Sequence, residues 1–272
     1  MRIKEKFETL KKKGEKALIP FIMAGDPDLE TTEKLVLEME KRGADIIELG
    51  LPFSDPLADG PVIQQSSQRA LEKGTRTPHV FELVKRLREK TDIPLVILTY
   101  YNPLFSYGQE IFVKGAALAG VDGLVIPDLP LEERDELEEI TRERGLDLIC
   151  FLAPTSSQER IKKTARRAQG FIYCVSLTGV TGVREDFSTS AEKLIKNIRQ
   201  HTFLPLALGF GISTPHQAGK AARYADGVIV GSALMKIIAQ HGENRDMLVK
   251  EVGEFVGSLK RAVTDQFSDY RL

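Results

Sequence analysis

The chain has 272 residues, with 38 Lys+Arg against 39 Asp+Glu and a formal net charge of −1. Apolar residues make up 42% and charged residues 28%, a balance that excludes a disordered, collagenous or coiled-coil chain. The near-neutral charge leaves no electrostatic footprint for nucleic acid or for an anionic membrane.

A chain this long buries about three quarters of its unfolded surface, so it needs neither disulfides nor a structural metal to hold a core. Its start, with Ile3, Phe7 and Leu10 spaced among charged residues, predicts a surface helix and not a signal peptide. Eight short apolar, β-rich runs follow, over residues 18–23, 45–49, 95–100, 123–127, 146–152, 171–175, 206–208 and 228–230. Between them lie helix-periodic stretches: 29–42 with Leu35, Val36 and Met39 on one face, 80–89 with Val84 and Leu87, 131–144 and 191–200. Apolar strands alternating with helices predict a parallel sheet covered by helices. Eight such units in one chain of this length match a (β/α)8 barrel. The alternative is a doubly wound open sheet, which more often carries a glycine fingerprint after its first strand; here that strand leads into Ala24-Gly25-Asp26-Pro27-Asp28. No linker interrupts the pattern, so residues 1–272 read as one barrel domain.

Extra material is expected in three places. One is the helix before the first strand. Another is a helix over 61–73, with Pro61 at its start and Gly74 just past its end. The third is a long loop over 176–190. The uncharged run 200–219 contains Pro205 and Pro215 and does not read as a membrane span. The two cysteines, Cys150 and Cys174, lie in apolar runs and read as buried thiols in a reducing cytoplasm.

A barrel builds its active site at the carboxyl ends of its strands. None of these ends supplies a lysine for a Schiff base or a histidine for a metal, and no metal site is expected. Strand alternation puts Ile46, Glu48 and Gly50 on one face and Ile47 and Leu49 on the other. Glu48 then points into the barrel mouth, where burial raises a carboxyl pKa toward the range of general acid–base work. Its bland reading is a strand-end acid that caps a loop. Asp59, at the far end of the loop 51–60, could face Glu48 across a ligand and split acid and base roles with it; it could equally cap the helix that begins at Pro61. Asp55, before Pro56, reads as a turn residue. Gly209-Phe210-Gly211 and Gly231-Ser232 bring backbone N–H groups within reach of an anion, and a helix starting at Ser232 would add its N-terminus. Tight strand–helix turns would want the same glycines. Gly179 to Gly182 would complete a phosphate cradle or serve as hinges. Phe21, Leu98, Tyr100, Tyr173 and Phe210 offer an apolar lining for a flat aromatic substrate that carries a phosphate.

The stretch Ile47-Glu48-Leu49-Gly50-Leu51-Pro52-Phe53-Ser54-Asp55-Pro56-Leu57-Ala58-Asp59-Gly60 resembles the signature of the tryptophan synthase alpha chain family. Pro20-Phe21-Ile22-Met23-Ala24-Gly25-Asp26-Pro27 resembles that family's first strand and turn, and Val175 to Gly182 its mobile sixth loop. The resemblance runs from about residue 3 to 262 and leaves the tail 265–272 unplaced. It implies a barrel that cleaves indole-3-glycerol phosphate to indole and glyceraldehyde 3-phosphate, without a cofactor of its own. Glu48 would carry the proton transfers, and Asp59 would stabilise the charge that develops on the indole nitrogen. Thr181 would orient Asp59. The phosphate would sit on Gly182, Gly211, Gly231 and Ser232. The resemblance also implies an αββα heterotetramer in which indole passes to a beta chain carrying pyridoxal phosphate, with Pro52, Asp55 and Asn102 at the interface. Three other readings remain: another phosphate-binding barrel, a stand-alone lyase of the same fold, and a non-catalytic activator of a beta chain.

Overall fold

The computed structural model describes residues 1–175, 187–209 and 211–264. The chain opens with α1 (Arg2–Lys13), then β1 (Ala17–Met23), α2 (Leu29–Lys41) and β2 (Ile47–Gly50). Two helices follow, α3 (Pro61–Glu72) and α4 (Thr77–Arg88), before β3 (Leu95–Leu98). Next come α5 (Tyr101–Tyr107), α6 (Gln109–Ala119) and β4 (Gly123–Val125), then a 3-10 turn (Leu131–Glu133), α7 (Asp135–Glu143) and β5 (Asp147–Leu152). The remainder is α8 (Gln158–Arg167), β6 (Ile172–Val175), α9 (Phe187–Arg199), β7 (Leu206–Gly209), α10 (Pro215–Ala222), β8 (Gly227–Val230), α11 (Ser232–His241) and α12 (Arg245–Thr264).

The strands pair in parallel in sequence order and close, β8 pairing with β1 through Ala17↔Gly227 to Pro20↔Val230. Closure decides for the barrel over the open sheet. Each expected strand is present, with ends shifted by a few residues. Two helices depart from expectation. The stretch 131–144 is broken at Arg134, whose buried guanidinium donates to the Leu148 carbonyl at 2.6 Å and to Cys150 Sγ at 2.8 Å. Tertiary bonding to β5 there replaces one continuous helix. Helix α9 starts at Phe187, inside the expected loop 176–190, because Ser and Thr are tolerated well in a first helical turn.

Two apolar layers form the core. One lies between barrel and helices and includes Ile47 and Leu49 of β2. The other fills the barrel and includes Ile46, Phe21, Val96, Leu98, Ile149 and Tyr173. This is the expected alternation: one face of each strand meets helices and the other meets the barrel axis. Helix α1 is more than a surface helix, since Ile3, Phe7 and Leu10 are buried in the inner layer. The Phe7 ring lies 5.9 Å from that of Phe171, at the amino-terminal end of β6, so α1 plugs the barrel floor. Both cysteines are buried and free. Among the described residues no helix is long and apolar enough to cross a membrane.

Candidate active site

At the carboxyl ends of the strands a cavity of about 330 Å³ is lined by Phe21, Leu98 and Tyr173 on one side and by Gly211, Gly231 and Ser232 on another, with Asp59 at its rim. Glu48 stands level with Phe21 on β1 and Val96 on β3. It is 2% exposed, and neither carboxylate oxygen has a hydrogen-bond partner. A charge left there without compensation is strongly disfavoured. Burial, reinforced by the charge of Asp59, pushes the Glu48 pKa up to about 8.

Asp59 reaches the site on the loop after β2, and that loop is fastened at both ends. Ser67 of α3 accepts a hydrogen bond from the Phe53 amide at 2.8 Å and donates to the Phe53 carbonyl at 2.7 Å. At the other end the Tyr100 hydroxyl accepts from the Ala58 amide at 2.9 Å and donates to Asp59 Oδ2 at 3.0 Å. Burial raises the Asp59 pKa to about 6, against the lowering effect of the Tyr100 hydrogen bond. Helix α3 is itself fixed to the β1 turn, where buried Asp26 pairs with Arg69 at 2.6 Å and accepts from the Ser66 hydroxyl. Gly60 caps α3 through its backbone alone, so Asp59 is not the helix cap that its position allowed.

The opposite side is shaped by small residues. A Cβ on Gly231 would lie 2.7 Å from Phe21 Cδ1, and one on Gly209 would lie 2.7 Å from the Tyr173 ring. Gly211 takes φ +75, a conformation that side chains strain. Helix α11 begins at Ser232 as expected, and no side chain caps it. Its first N–H groups and its dipole therefore point positive charge at the cavity.

The structure thus brings Glu48, Asp59, Tyr100, Tyr173, Phe21, Leu98, Gly211, Gly231 and Ser232 to one end of the barrel. Thr181, Gly182 and Phe210 lie outside the described residues. Asp55 and Asn102 are exposed, whereas Pro52 is buried within the chain. Sequence reasoning missed Phe151, Ile63, Pro127, Ser213 and Lys236, which also line the cavity. Phe151 was within reach: it alternates with inward-facing Ile149 on β5, and its ring lies 4.8 Å from that of Tyr173.

The chain matches the family model described as tryptophan synthase alpha chain over residues 7–264. This chain belongs to the tryptophan synthase alpha chain family. The tryptophan synthase alpha chain of Thermoanaerobacter sp. (strain X514) is 54% identical over 262 residues, covering 96% of this chain and 99% of that one. That of Citrifermentans bemidjiense is 55% identical over 262 residues, covering 96% and 97%. Among solved structures, tryptophan synthase subunit alpha from Legionella pneumophila str. Paris superposes with a TM-score of 0.89 at 37% identity, covering 96% of this chain and 98% of that one. A chain of the tryptophan synthase complex from Pyrococcus furiosus does so with a TM-score of 0.81 at 36% identity, covering 90% and 98%. As a tryptophan synthase alpha chain the protein is a carbon–carbon lyase of tryptophan biosynthesis that cleaves indole-3-glycerol phosphate to indole and glyceraldehyde 3-phosphate. The alpha chain family needs no cofactor for this reaction.

Proposed function

We propose that Glu48 and Asp59 divide the proton and charge work of this retro-aldol cleavage. The observation that carries the reading is a buried, unpartnered Glu48 carboxyl next to an Asp59 whose pKa lies lower. Near neutrality Glu48 is then protonated and Asp59 ionised, so two carboxyls of similar intrinsic acidity take opposite roles. Protonated Glu48 delivers its proton to indole C3. Positive charge develops on the ring N–H, and the Asp59 carboxylate stabilises it. The Glu48 carboxylate then removes the proton from the side-chain hydroxyl. The C3–C1′ bond breaks, its electron pair returns to the ring, and the new aldehyde leaves as glyceraldehyde 3-phosphate. Glu48 ends protonated, as it began.

Phe21, Leu98, Tyr173 and Phe151 suit the flat face of indole. The uncapped start of α11, with the amides of Gly211 and Gly231 and with Ser232, suits the phosphate. The family reading adds Phe210 to the indole pocket, Gly182 to the phosphate seat and Thr181 as the residue that orients Asp59.

The same reading makes the chain one partner in an αββα complex in the cytoplasm, passing indole to a beta chain that carries pyridoxal phosphate. Exposed Leu57, on the loop that ends in Asp59, and exposed Phe105 of α5 support an apolar contact there, beside Asp55 and Asn102. Loop 51–60 would thus touch the partner on one side and hold Asp59 on the other, which couples docking to catalysis. The test is indole release from indole-3-glycerol phosphate, with and without a beta chain, for wild type and Glu48→Gln. Slow release that rises with the partner and falls by about 10²–10⁴ in the variant supports the reading. Full activity without a partner would instead identify a stand-alone lyase, and unchanged activity in Glu48→Gln would remove Glu48 from the chemistry.

A further inference from the structure

The cavity is lined by one carboxylate, Asp59, with Glu48 close by, yet the substrate it takes carries a phosphate with nearly two negative charges at neutral pH. Backbone amides and a helix N-terminus offer only partial charges. Among the described lining residues a single side chain is cationic: Lys236. It stands one turn after Ser232 on α11, so both occupy the same helix face.

Several lysines of the outer helices are already engaged by a carboxylate. Lys34, Lys163 and Lys196 each pair with a glutamate four residues earlier, at 2.8, 2.8 and 2.6 Å. Lys236 has Ser232 and Ala233 before it and Ala239 and Gln240 after it at the corresponding spacings. No ion pair involves it among the described residues. It is exposed at the mouth of the cavity, beside Ser213 and Ile212 of the β7–α10 connection, which also line it. A flexible ammonium that no carboxylate holds in an ion pair among the described residues can follow an incoming dianion.

We propose that Lys236 is a substrate-binding residue whose ammonium neutralises the phosphate of indole-3-glycerol phosphate over the N-terminus of α11. This rests on the phosphate seat described above. In binding terms, the amides of Gly211, Gly231 and Ser232 fix where the phosphate oxygens go, and Lys236 supplies the full positive charge that amides lack. Its exposed position in the cavity lining lets it attract an incoming dianion, so it also speeds capture in a salt-dependent way.

The experiment compares wild type, Lys236→Gln and Lys236→Arg in complex with a beta chain. Lys236→Gln raises KM for indole-3-glycerol phosphate about tenfold with kcat little changed, as loss of one charge-assisted contact would. It raises the inhibition constant of inorganic phosphate by a similar factor, leaves that of indole unchanged, and flattens the dependence of kcat/KM on ionic strength. Lys236→Arg restores most of the loss. A merely structural lysine would move the indole constant too, or none of these. Wild-type values in Lys236→Gln, while phosphate still competes with substrate, would overturn the role of Lys236 alone. If phosphate does not compete even in wild type, the phosphate seat fails and the lysine's role fails with it.

Discussion

At the scale of single residues, the site depends on one carboxyl being harder to ionise than its neighbour. Glu48 has no hydrogen-bond partner, whereas Asp59 accepts from Tyr100. Deeper burial and the charge of Asp59 raise Glu48 to about 8, while burial raises Asp59 only to about 6 against the Tyr100 hydrogen bond. On the proposed roles, with Asp59 ionised and Glu48 protonated, kcat/KM is expected to rise as pH climbs through about 6 and to fall through about 8. Asp59→Asn should lose the acid limb. It should also shift the alkaline limb to lower pH, because the charge of Asp59 helps hold Glu48 protonated. A pH–rate profile of the two proteins checks both points, and an alkaline limb that stays in place would disconnect the pair. The tyrosines follow the same logic: burial, with the charges of Glu48 and Asp59, keeps the Tyr173 hydroxyl well above its ordinary range, so it stays neutral in the pocket.

At the scale of elements, the loop after β2 carries Asp59 to the site and is held in place from elsewhere. Ser67 holds its start, Tyr100 holds its end, and the Asp26–Arg69 pair holds the helix that bears Ser67. Ser67 is 1% exposed and makes both of its bonds to the loop backbone. Ser67→Ala would leave two part-buried backbone groups of Phe53 without their partner, at about 1–3 kcal/mol each at most. The expected outcome is a several-fold fall in kcat with a smaller change in KM, and a larger relative gain when a beta chain is added, since docking would then supply the lost restraint. Steady-state kinetics with and without the partner measure this. Equal losses in both conditions would mean that the loop is ordered from within the chain alone.

For the whole molecule, burying the carboxyl that is proposed to carry the proton transfers sets activity against stability. Glu48 titrates near 4.5 when unfolded and near 8 when folded. Between those values the folded chain holds a proton that the unfolded chain has released, so stability from this group declines as pH rises, by about 1.4 kcal/mol per pH unit. Glu48→Gln carries no such term. Its melting temperature should match wild type near pH 4.5, exceed it by a widening margin up to pH 8, and gain nothing further beyond. Calorimetry across that range reads the effect; a margin independent of pH would mean that Glu48 is not buried as described. The floor of the barrel, away from Glu48, is sealed separately by Phe7 and Ile3 of α1 packing into the inner layer.

The sequence alone determined the parts of this protein that depend on local period. Apolar runs marked each strand, and alternation put Glu48 on the inner face with Ile46 while Ile47 and Leu49 met the helices. Pro61, Gly74 and Ser232 marked helix limits because capping and φ preferences act within a turn. The tertiary structure decided what depends on distant groups meeting. Closure of β8 on β1, the break at Arg134 and the plugging role of α1 all rest on contacts made only once the barrel has formed. So does the chemistry of the site. The Tyr100 bond to Asp59 spans 41 residues, and the burial that raises Glu48 is a property of the closed barrel and not of its strand. Lys236 escaped notice for the same reason: strand ends can be read from a pattern, but a cation reaching in from the helix beyond them is seen only when the cavity exists.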